Sequence, residues 1–265
     1  NPVKIGVEKG IDKAVDLIVE HRVSGLCVVD HRDVLLGVLS EMDCLGAGLS
    51  RVSYTTATSN ISDHMLMHPI KIGLEDDLFK AIKVIIEYRV SGLCVVDDQE
   101  NLLGVLSEMD CLRAILSAIY NDHREGGKVR EHMTMDAEYC DVGSDMISVA
   151  KDMLEKGRRR RPVLDNGRLI GQVTCRQLLI SLYGEAEQCD SVSQHMTSSV
   201  ESCHLHADIV SIANDMMIKG RRRRPVVDDG RLVGQITCRQ LLRVVSEFNR
   251  NQVAANFDPQ YRDLL

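Results

Sequence analysis

Aromatic residues are scarce in this sequence: they make up 3% of its 265 residues, and tryptophan is absent. So few rings disfavour a surface that binds nucleic acid by base stacking. The net charge of −7 points the same way, because surfaces that bind nucleic acid are basic. We therefore do not expect nucleic acid as a partner.

Long apolar runs and known catalytic motifs are also missing. No run approaches the ~20 apolar residues of a membrane-spanning helix, so we expect no membrane contact. No signal-peptide pattern is visible, although the chain begins at Asn1 rather than Met, which leaves a preceding segment open. Walker-type, GxSxG and HExxH motifs are absent. These absences predict a cytoplasmic protein that is not an enzyme.

The nine cysteines include no CxxC pair, and we interpret them as reduced thiols that pack like small hydrophobic side chains. Three HM dipeptides contain histidines without a metal-ligand pattern, so these histidines are predicted to be structural and the methionines beside them to pack. The dipeptides are His64-Met65, His132-Met133 and His195-Met196. No metal site is expected.

The chain repeats itself four times. RVSGLCVVD and LLGVLSEMDCL each occur twice with an offset of 67 residues, and GRRRRPV and TCRQLL each occur twice with an offset of 63. The two pairs also align with each other, since LLGVLSEMDCL matches LIGQVTCRQLL. The predicted division is copy A 1–59, copy B 60–124, copy C 125–186, copy D 187–248 and a C-terminal tail 249–265.

Each copy has the pattern strand, helix, strand, strand, helix. In copy A, apolar residues at helical spacing predict an amphipathic helix over 11–22, after a short β-prone segment. Two apolar segments, 26–29 and 35–39, flank a polar turn and predict a hairpin. A second helix is predicted to begin near Ser40, with Gly46-Ala47-Gly48 interpreted as a linker. The predicted fold class is α/β (α+β).

These copies resemble CBS domains (cystathionine beta-synthase domains). The resemblance rests on SGLCVVD with GVLSEMD in copies A and B, and on RRRPVLD or RRRPVVD with GQVTCRQ or GQITCRQ in copies C and D. It covers the chain to about residue 247. It implies four β-α-β-β-α CBS units assembled as two Bateman modules in a flat disk. It also implies adenosine-type ligands in clefts between paired units, which are AMP, ADP or ATP (the last with Mg²⁺), or S-adenosylmethionine, with no prosthetic group.

In copies A and B, a serine at the start of the second helix and an aspartate one turn later suit such a ligand. An ionised carboxylate can accept hydrogen bonds from both ribose hydroxyls, and a helix N-terminus with a hydroxyl suits phosphate. The resemblance adds the turn before the hairpin as a nucleoside contact. The candidate residues are Val23, Ser24, Gly25, Ser40 and Asp43 in copy A, and Val90, Ser91, Gly92, Ser107 and Asp110 in copy B.

Copies C and D depart from this pattern. Thr174 and Thr237 keep the hydroxyl, but Gln177 and Gln240 replace the aspartate. Both copies instead carry a run of four arginines, and neighbouring side chains on a strand alternate in direction, so we expect some guanidinium groups in the cleft. The candidates are Arg159, Arg160, Arg222 and Arg223. A structural ion-pairing role and a nucleic-acid patch remain alternatives.

The copies can pair sequentially, A with B and C with D, or in a nested arrangement, B with C and A with D. We favour the nested arrangement because each pair then joins an aspartate-type copy to an arginine-type copy. The predicted function is a non-catalytic sensor that changes conformation or partner interaction on binding an adenosine-type ligand. Two kinds of protein partner remain open: an unknown protein target, and a second copy of the chain in a homodimer. The alternative is a ligand-independent scaffold or oligomerisation module.

Overall fold

The computed structural model describes residues 2–51, 59–120, 126–183 and 191–255. The predicted boundaries between copies B and C and between copies C and D lie outside the described residues, as do Cys189 and the tail beyond Ala255. The last helix runs to Ala255 and so extends into the stretch that the sequence assigned to the tail.

Every copy contains the predicted order of helices and strands. Copy A comprises β1 (Lys4–Gly6), α1 (Ile11–Glu20), β2 (Gly25–Val29), β3 (Leu35–Ser40) and α2 (Glu41–Arg51). Copy B comprises β4 (Leu66–Met67), β5 (Lys71–Gly73), α3 (Leu78–Glu87), β6 (Gly92–Val96), β7 (Leu102–Ser107) and α4 (Glu108–Tyr120), and a 3-10 turn (Ile61–Asp63) precedes it. Copy C comprises a 3-10 turn (Val129–Glu131), β8 (Cys140–Asp141), α5 (Met146–Glu155), β9 (Arg160–Asp165), β10 (Arg168–Thr174) and α6 (Cys175–Tyr183). Copy D comprises α7 (Val192–His195), β11 (Cys203–His204), α8 (Ile209–Ile218), β12 (Arg223–Asp228), β13 (Arg231–Thr237) and α9 (Cys238–Ala255).

The sheet of each copy is built on the hairpin. Three pairs of strands are parallel: β1 with β2, β5 with β6, and β8 with β9. The hairpin strands that follow are antiparallel: β2 with β3, β6 with β7, and β9 with β10. The hairpin turn of copy A is fixed by Asp30, whose carboxylate accepts hydrogen bonds from the backbone N–H groups of Arg32 and Val34. In copy C, β4 adds a fourth strand beside β10, which the expectation of three strands did not include.

The glycines of α2 are helical and form no linker, so that prediction was wrong. A Cβ atom at Gly48 would lie 2.8 Å from Cε2 of Tyr183, and one at Gly46 would lie 3.5 Å from Cδ2 of Leu154. Glycine is needed at position 48 because Tyr183 of α6 approaches the α2 backbone closely, whereas the space at Gly46 would admit an ordinary contact. Close packing outweighs the low helix propensity of glycine here.

The short segments with which copies B, C and D begin do not lie on the rest of their own copies. We call these segments leaders and define them as residues 59–67, 126–134 and 191–197. Each leader donates a backbone hydrogen bond to the loop before the first helix of another copy. The bonds are Ile61 N to Ser144 O of copy C at 2.9 Å, Val129 N to Asp76 O of copy B at 2.9 Å, and Val192 N to Lys9 O of copy A at 2.8 Å.

Each leader then crosses the second hairpin strand of the copy that it contacts. The crossing point is a glycine of that strand, against which the methionine of the leader packs. A Cβ atom at Gly37 would lie 2.8 Å from Sδ of Met196, and one at Gly171 would lie 2.8 Å from Sδ of Met65. At Gly104 it would lie 2.5 Å from Cε of Met133. The predicted packing role of these methionines is confirmed. Because the glycines have no side chain, they leave the space that the methionine side chains occupy.

The chain forms two compact units. Unit 1 contains Asn1–Pro69, Glu138–Leu205 and Pro225–Gln235, and unit 2 contains Ile70–Ala137, His206–Arg224 and Ile236–Leu265. In unit 1, α1 and α2 of copy A pack on α5 and α6 of copy C. In unit 2, α3 and α4 of copy B pack on α8 and α9 of copy D. Copy A therefore pairs with copy C, and copy B with copy D.

Both predicted pairings, sequential and nested, were wrong. The physical reason is that the helices which meet begin with the same residues in sister copies: α2 and α4 begin with EMDCL, and α6 and α9 begin with CRQLL. These shared first turns do not distinguish the sisters, and the choice depends on later positions such as Gly48 of α2, where α4 has Ile115. Each pair nevertheless joins an aspartate-type copy to an arginine-type copy, which was the reasoning behind the nested arrangement.

Most of the described cysteines lie inside the packed units, as predicted. Seven of the eight described thiols are buried and Cys203 is half-buried, and none of these eight forms a disulfide. Burial raises the pKa of the Cys44 thiol to about 12 and that of Cys140 to about 11. The seven buried thiols are therefore inaccessible, and those of Cys44 and Cys140 are also protonated at neutral pH.

We expect the buried thiols to react with Ellman's reagent only as fast as the protein unfolds. A variant with Cys189→Ser and Cys203→Ser leaves the seven buried thiols, and its native form should show no fast absorbance phase at pH 8. In guanidinium chloride, all seven should react at once. A fast phase in the native variant would contradict the burial described here.

Candidate functional site

The predicted Ser/Asp pairs form capping boxes at the N-termini of α2 and α4. The N–H and the hydroxyl of Ser40 both donate to Oδ2 of Asp43 at 2.7 Å, and the N–H of Asp43 donates back to Oγ of Ser40 at 3.3 Å. Ser107 and Asp110 repeat these bonds at 2.9, 2.5 and 3.2 Å. One carboxylate oxygen of each aspartate thus holds the helix start. Oδ1 of Asp110 lies 3.6 Å from Nη1 of Arg113.

A neutral amide performs the same capping role in copies C and D. The N–H of Thr174 donates to Oε1 of Gln177 at 3.2 Å, and its hydroxyl donates to the same oxygen. The N–H and hydroxyl of Thr237 donate to Oε1 of Gln240 at 2.9 and 2.8 Å. The Thr/Gln pairs therefore match the Ser/Asp pairs in geometry but lack the carboxylate charge.

The predicted turn residues and the arginines occupy equivalent positions beside these helix starts. In each copy, the carbonyl oxygen of the residue before the hairpin accepts a hydrogen bond from the first N–H of the second helix. The pairs are Ser24 with Glu41 at 3.1 Å, Ser91 with Glu108 at 3.0 Å, Arg159 with Cys175 at 3.0 Å, and Arg222 with Cys238 at 2.8 Å.

Unit 1 brings residues of copies A and C together at this place. Nη1 of Arg159 lies 3.7 Å from Oε1 of Glu41, whose side chain is 8% exposed. Nη2 of Arg176 donates to the carbonyl oxygen of Val23 at 3.5 Å, and Sγ of Cys175 lies 3.2 Å from Sδ of Met42. Glu41 and Arg176 were missed as site residues, although a charged residue at the first or second helical position was visible in SEMD and TCRQ.

Unit 2 repeats this arrangement with copies B and D. Sγ of Cys238 lies 3.3 Å from Sδ of Met109. Burial and then the charge of Glu108 raise the pKa of the Cys238 thiol, while the charge of Arg222 acts against this rise. Glu108 is buried, with 6% of the residue exposed.

The last arginine of each four-arginine run forms ion pairs that stabilise the fold. The side chain of Arg161 is 6% exposed; Nη2 lies 2.9 Å from Glu138, and Nη1 pairs with Asp152 on α5. Arg224 pairs in the same way with Asp215 on α8. These arginines attach a strand to the first helix of their own copy. The four candidate arginines lie earlier in the runs and are all half-buried.

A pocket of about 410 Å³ opens beside Asp110 in unit 2. One wall is the outer face of α4, with Arg113 and Ser117 beside Asp110. The other wall is the leader that precedes copy C, from Gly126 to His132. Of the sixteen candidate residues, this pocket contains Asp110, and the leader wall was not predicted as part of a site.

Within residues 2–51, 59–120, 126–183 and 191–255, no helix is both long and apolar enough to cross a membrane. No group of three or more His, Cys, Asp or Glu side chains there has the geometry to hold a metal ion.

Comparison with known proteins gave one family and several relatives. The family model described as CBS domain matches residues 1–50, 61–117, 129–184 and 192–247. An uncharacterized protein of Methanocaldococcus jannaschii is 32% identical over 98 residues, which are 37% of this chain and 34% of that protein. The chain thus spans about a third of the length of this relative.

Two solved structures are similar. An uncharacterized conserved protein from Pyrococcus horikoshii has a TM-score of 0.56 and 26% identity, over 68% of this chain and 79% of that chain. CBSX2 of Arabidopsis thaliana, solved in complex with AMP, has a TM-score of 0.41 and 27% identity, over 46% of this chain and 94% of that chain.

Proposed function

Because the chain belongs to the CBS domain family, with a match in each of its four copies, we propose that it is a non-catalytic regulatory protein that binds adenosine-type ligands. The ligands are AMP, ADP or ATP, the last with Mg²⁺, bound within each pair of copies. Binding shifts the paired copies, and a cytoplasmic protein partner or a second copy of the chain responds to the shift.

One observation carries this proposal: each compact unit joins an aspartate-type copy to an arginine-type copy. In unit 1, the helix start with Glu41 and Asp43 lies against the arginine run through Arg159. A cleft with a carboxylate on one side and guanidinium groups on the other suits a ligand that has both a ribose and a phosphate. The same pairing of copies is present in unit 2, where α4 packs on α9 and Sγ of Cys238 lies 3.3 Å from Sδ of Met109.

The sixteen candidate residues divide equally between the units and remain part of the proposal. The aspartates would bind ribose through the oxygen that is not used in the capping box. The turn residues at Ser24 and Ser91 would contact the nucleoside. The arginines that follow α5 and α8 would contact phosphate, together with the hydroxyls of Thr174 and Thr237. Each role is a contact that substitution can test.

The main competing function is a scaffold that binds no ligand. It is favoured by the capping boxes, because Ser40 with Asp43 and Ser107 with Asp110 already have a structural use in helix capping. A test must therefore separate capping from ligand binding.

We expect AMP, ADP or ATP at 100 times its dissociation constant to stabilise the protein by about 2.7 kcal/mol, detected as a rise in melting temperature. In the Asp43→Asn, Asp110→Asn double variant, the amide keeps a capping oxygen but loses the charge. The dissociation constant measured by calorimetry should then rise about tenfold or more, because charged hydrogen bonds are stronger than neutral ones.

The matched control is the Gln177→Asn, Gln240→Asn double variant, which alters the caps of copies C and D without changing charge. Its affinity should stay within about twofold of the parent protein. Equal losses in both double variants would mean that capping, not ligand contact, is being measured. No stabilisation by AMP, ADP, ATP or S-adenosylmethionine would leave the scaffold as the function.

A further inference from the structure

Copy D differs from the other copies at the place where a leader crosses the hairpin. The glycine at the crossing point is buried in copies A, B and C, at Gly37, Gly104 and Gly171. The equivalent glycine of copy D, Gly234 on β13, is half-buried. Among the described residues, a Cβ atom at Gly234 would meet only Val226 of its own sheet, 3.6 Å from its Cβ atom. No leader therefore crosses this glycine in the part of the chain that the structure describes.

The residue after each crossing glycine pairs with a leader through the backbone. The pairs are Val38 with Thr197 at 3.0 and 2.9 Å, Val105 with Thr134 at 3.0 and 2.9 Å, and Gln172 with Leu66 in the antiparallel pairing of β10 and β4. Gln235 holds this position in copy D, on the edge strand of its sheet. In residues 2–51, 59–120, 126–183 and 191–255, no strand lies beside Gln235 on that edge. An open strand edge of this kind can pair with another segment.

The start of the same edge is already in use within unit 1. The N–H of Leu232 donates to the carbonyl oxygen of Asp33 at 2.9 Å, and the N–H of Leu35 donates to the carbonyl oxygen of Gly230 at 3.1 Å. These bonds hold β13 beside copy A and end before Gly234. The open part of the edge is therefore short and coincides with the two residues that a leader covers in the other copies.

Unit 2 shows a similar lack of cover at the first residue of α8. Ile11, Leu78 and Met146 begin α1, α3 and α5, and each follows a loop that a leader contacts. These three residues are at most 6% exposed. Ile209 begins α8 and is 36% exposed. Copy D thus lacks two features that accompany a leader in copies A, B and C.

The exchange of leaders indicates which kind of segment would cover β13. Copies B and C exchange leaders, since residues 59–67 lie on copy C and residues 126–134 lie on copy B. Copy D places residues 191–197 on copy A. The reciprocal segment is one that leads into copy A. The three leaders share an apolar residue, two further residues, and then His-Met: Ile61 to Met65, Val129 to Met133, and Val192 to Met196.

We infer that the open edge of β13, at Gly234 and Gln235, is a docking site for a fourth leader, an extended segment with the pattern apolar-x-x-His-Met that leads into copy A. Its methionine fills the space over Gly234, and the next residue pairs with Gln235 through two backbone hydrogen bonds. Main-chain pairing at a sheet edge supplies affinity, and the fit of the methionine supplies specificity. The inference goes beyond the proposed function, because it needs no adenosine ligand.

A synthetic peptide of residues 59–67 is the probe, because this leader lies on copy C, the sister of copy D. With a fluorescent label, it should bind saturably to the 265-residue chain, as measured by anisotropy. Hydrogen exchange at the Gln235 amide should become at least about tenfold slower in the complex. No AMP or other nucleotide is present, so the result does not depend on the proposed function.

Gly234→Ala should weaken peptide binding at least about tenfold, because a Cβ atom would occupy the place of the methionine. At the equivalent Gly171, a Cβ atom would lie 2.8 Å from Sδ of Met65. The same variant should keep the melting temperature of the parent chain, since Gly234 does not have a positive φ and its one close neighbour, Val226, is at an ordinary contact distance.

Two controls separate docking from folding. Gly143→Ala adds a Cβ atom with nothing within 4 Å and should leave the peptide affinity within about twofold of the parent value. A peptide with Leu66→Pro lacks the N–H that would pair with Gln235 and should bind the parent chain at least about tenfold more weakly. This second control needs no change in the protein.

Three results would overturn the inference. Absence of peptide binding to the parent chain would show that β13 accepts no leader. Equal peptide affinity in the parent chain and in Gly234→Ala would place the peptide elsewhere on the protein. If the chain sediments as a dimer and Gly234→Ala makes it a monomer, the edge of β13 pairs with a second copy of the chain rather than with a leader.

Discussion

Gly104→Ala is expected to detach the leader from β7 and to lower the free energy of unfolding by about 2–4 kcal/mol. The added Cβ atom would lie 2.3 Å from the carbonyl oxygen of Thr134, a backbone atom that cannot turn away as a side chain can. The leader must therefore move, and it loses two backbone hydrogen bonds between Val105 and Thr134, of 3.0 and 2.9 Å. Urea denaturation measures the loss of stability, and hydrogen exchange at the Thr134 amide measures the detachment.

Gly104, Gly37 and Gly171 occupy equivalent positions under the three leaders, so their alanine variants form a graded series. At Gly37 and Gly171, the nearest leader carbonyl would lie 2.9 Å from the new Cβ atom, so alanine should cost less there than at Gly104. Gly143→Ala is the matched control, because no atom lies within 4 Å of a Cβ atom at that position. Equal stability of Gly104→Ala and Gly143→Ala would show that the leader does not lie tightly across β7.

The same substitution connects the fold to the proposed ligand site. The leader that crosses Gly104 also forms the wall from Gly126 to His132 of the pocket beside Asp110. Its detachment should weaken AMP binding at that pocket, even though Gly104 is not one of its lining residues. A sequence comparison of copies would explain this glycine only as part of the hairpin, whereas the structure relates it to the leader of a different copy.

Local structure in this chain was predictable because each element is determined by nearby residues. The hairpin in copy A follows from two apolar segments around Asp30, whose carboxylate fixes the turn. The start of α2 follows from Ser40 and Asp43, which cap it. The Ser-x-x-Asp and Thr-x-x-Gln patterns also gave the correct places of the candidate residues at the starts of the second helices.

Contacts between distant copies were not predictable in the same way. The choice of copy C rather than copy D for copy A depends on positions after the shared first turns, such as Gly48 of α2, where α4 has Ile115. The exchange of leaders depends on backbone bonds, such as Val192 to Lys9, which leave no side-chain pattern in the sequence. The Arg159–Glu41 ion pair could not be predicted without knowing that copy A pairs with copy C. The sequence showed Glu41 as an acidic residue at a helix start, but not as a neighbour of the arginine run.

Arg161→Met is expected to lower the free energy of unfolding by about 2–4 kcal/mol. The substitution keeps an apolar side chain of similar length but removes the buried cation between Glu138 and Asp152. The two carboxylates are about one-third exposed, so water can partly solvate them, and the loss should be smaller than for a fully buried pair. Chemical denaturation measures the effect.

The same variant should alter the dependence of stability on pH. Hydrogen bonds from Lys156 and then from Arg161 hold the pKa of Asp152 below its usual value. The ionised form is thus favoured in the folded state, and this stabilisation is present above the unfolded pKa of about 3.9 and is lost as the pH falls through the lower folded pKa. In Arg161→Met, the folded pKa moves toward the unfolded one, so the fall in stability below about pH 4 should become shallower.

Arg158→Met is the matched control, since it removes a neighbouring arginine of the same run. The side chain of Arg158 is 59% exposed and its Nε lies 3.9 Å from Glu138, so its loss should change stability by less than about 0.5 kcal/mol. A second variant, Arg161→Met with Asp152→Leu, should recover part of the stability, because it also removes a carboxylate that has lost one of its two cations. If Arg161→Met and Arg158→Met were equally stable, the buried ion pair would not be what attaches β9 to α5, and Arg161 would join the four arginines proposed to contact a ligand.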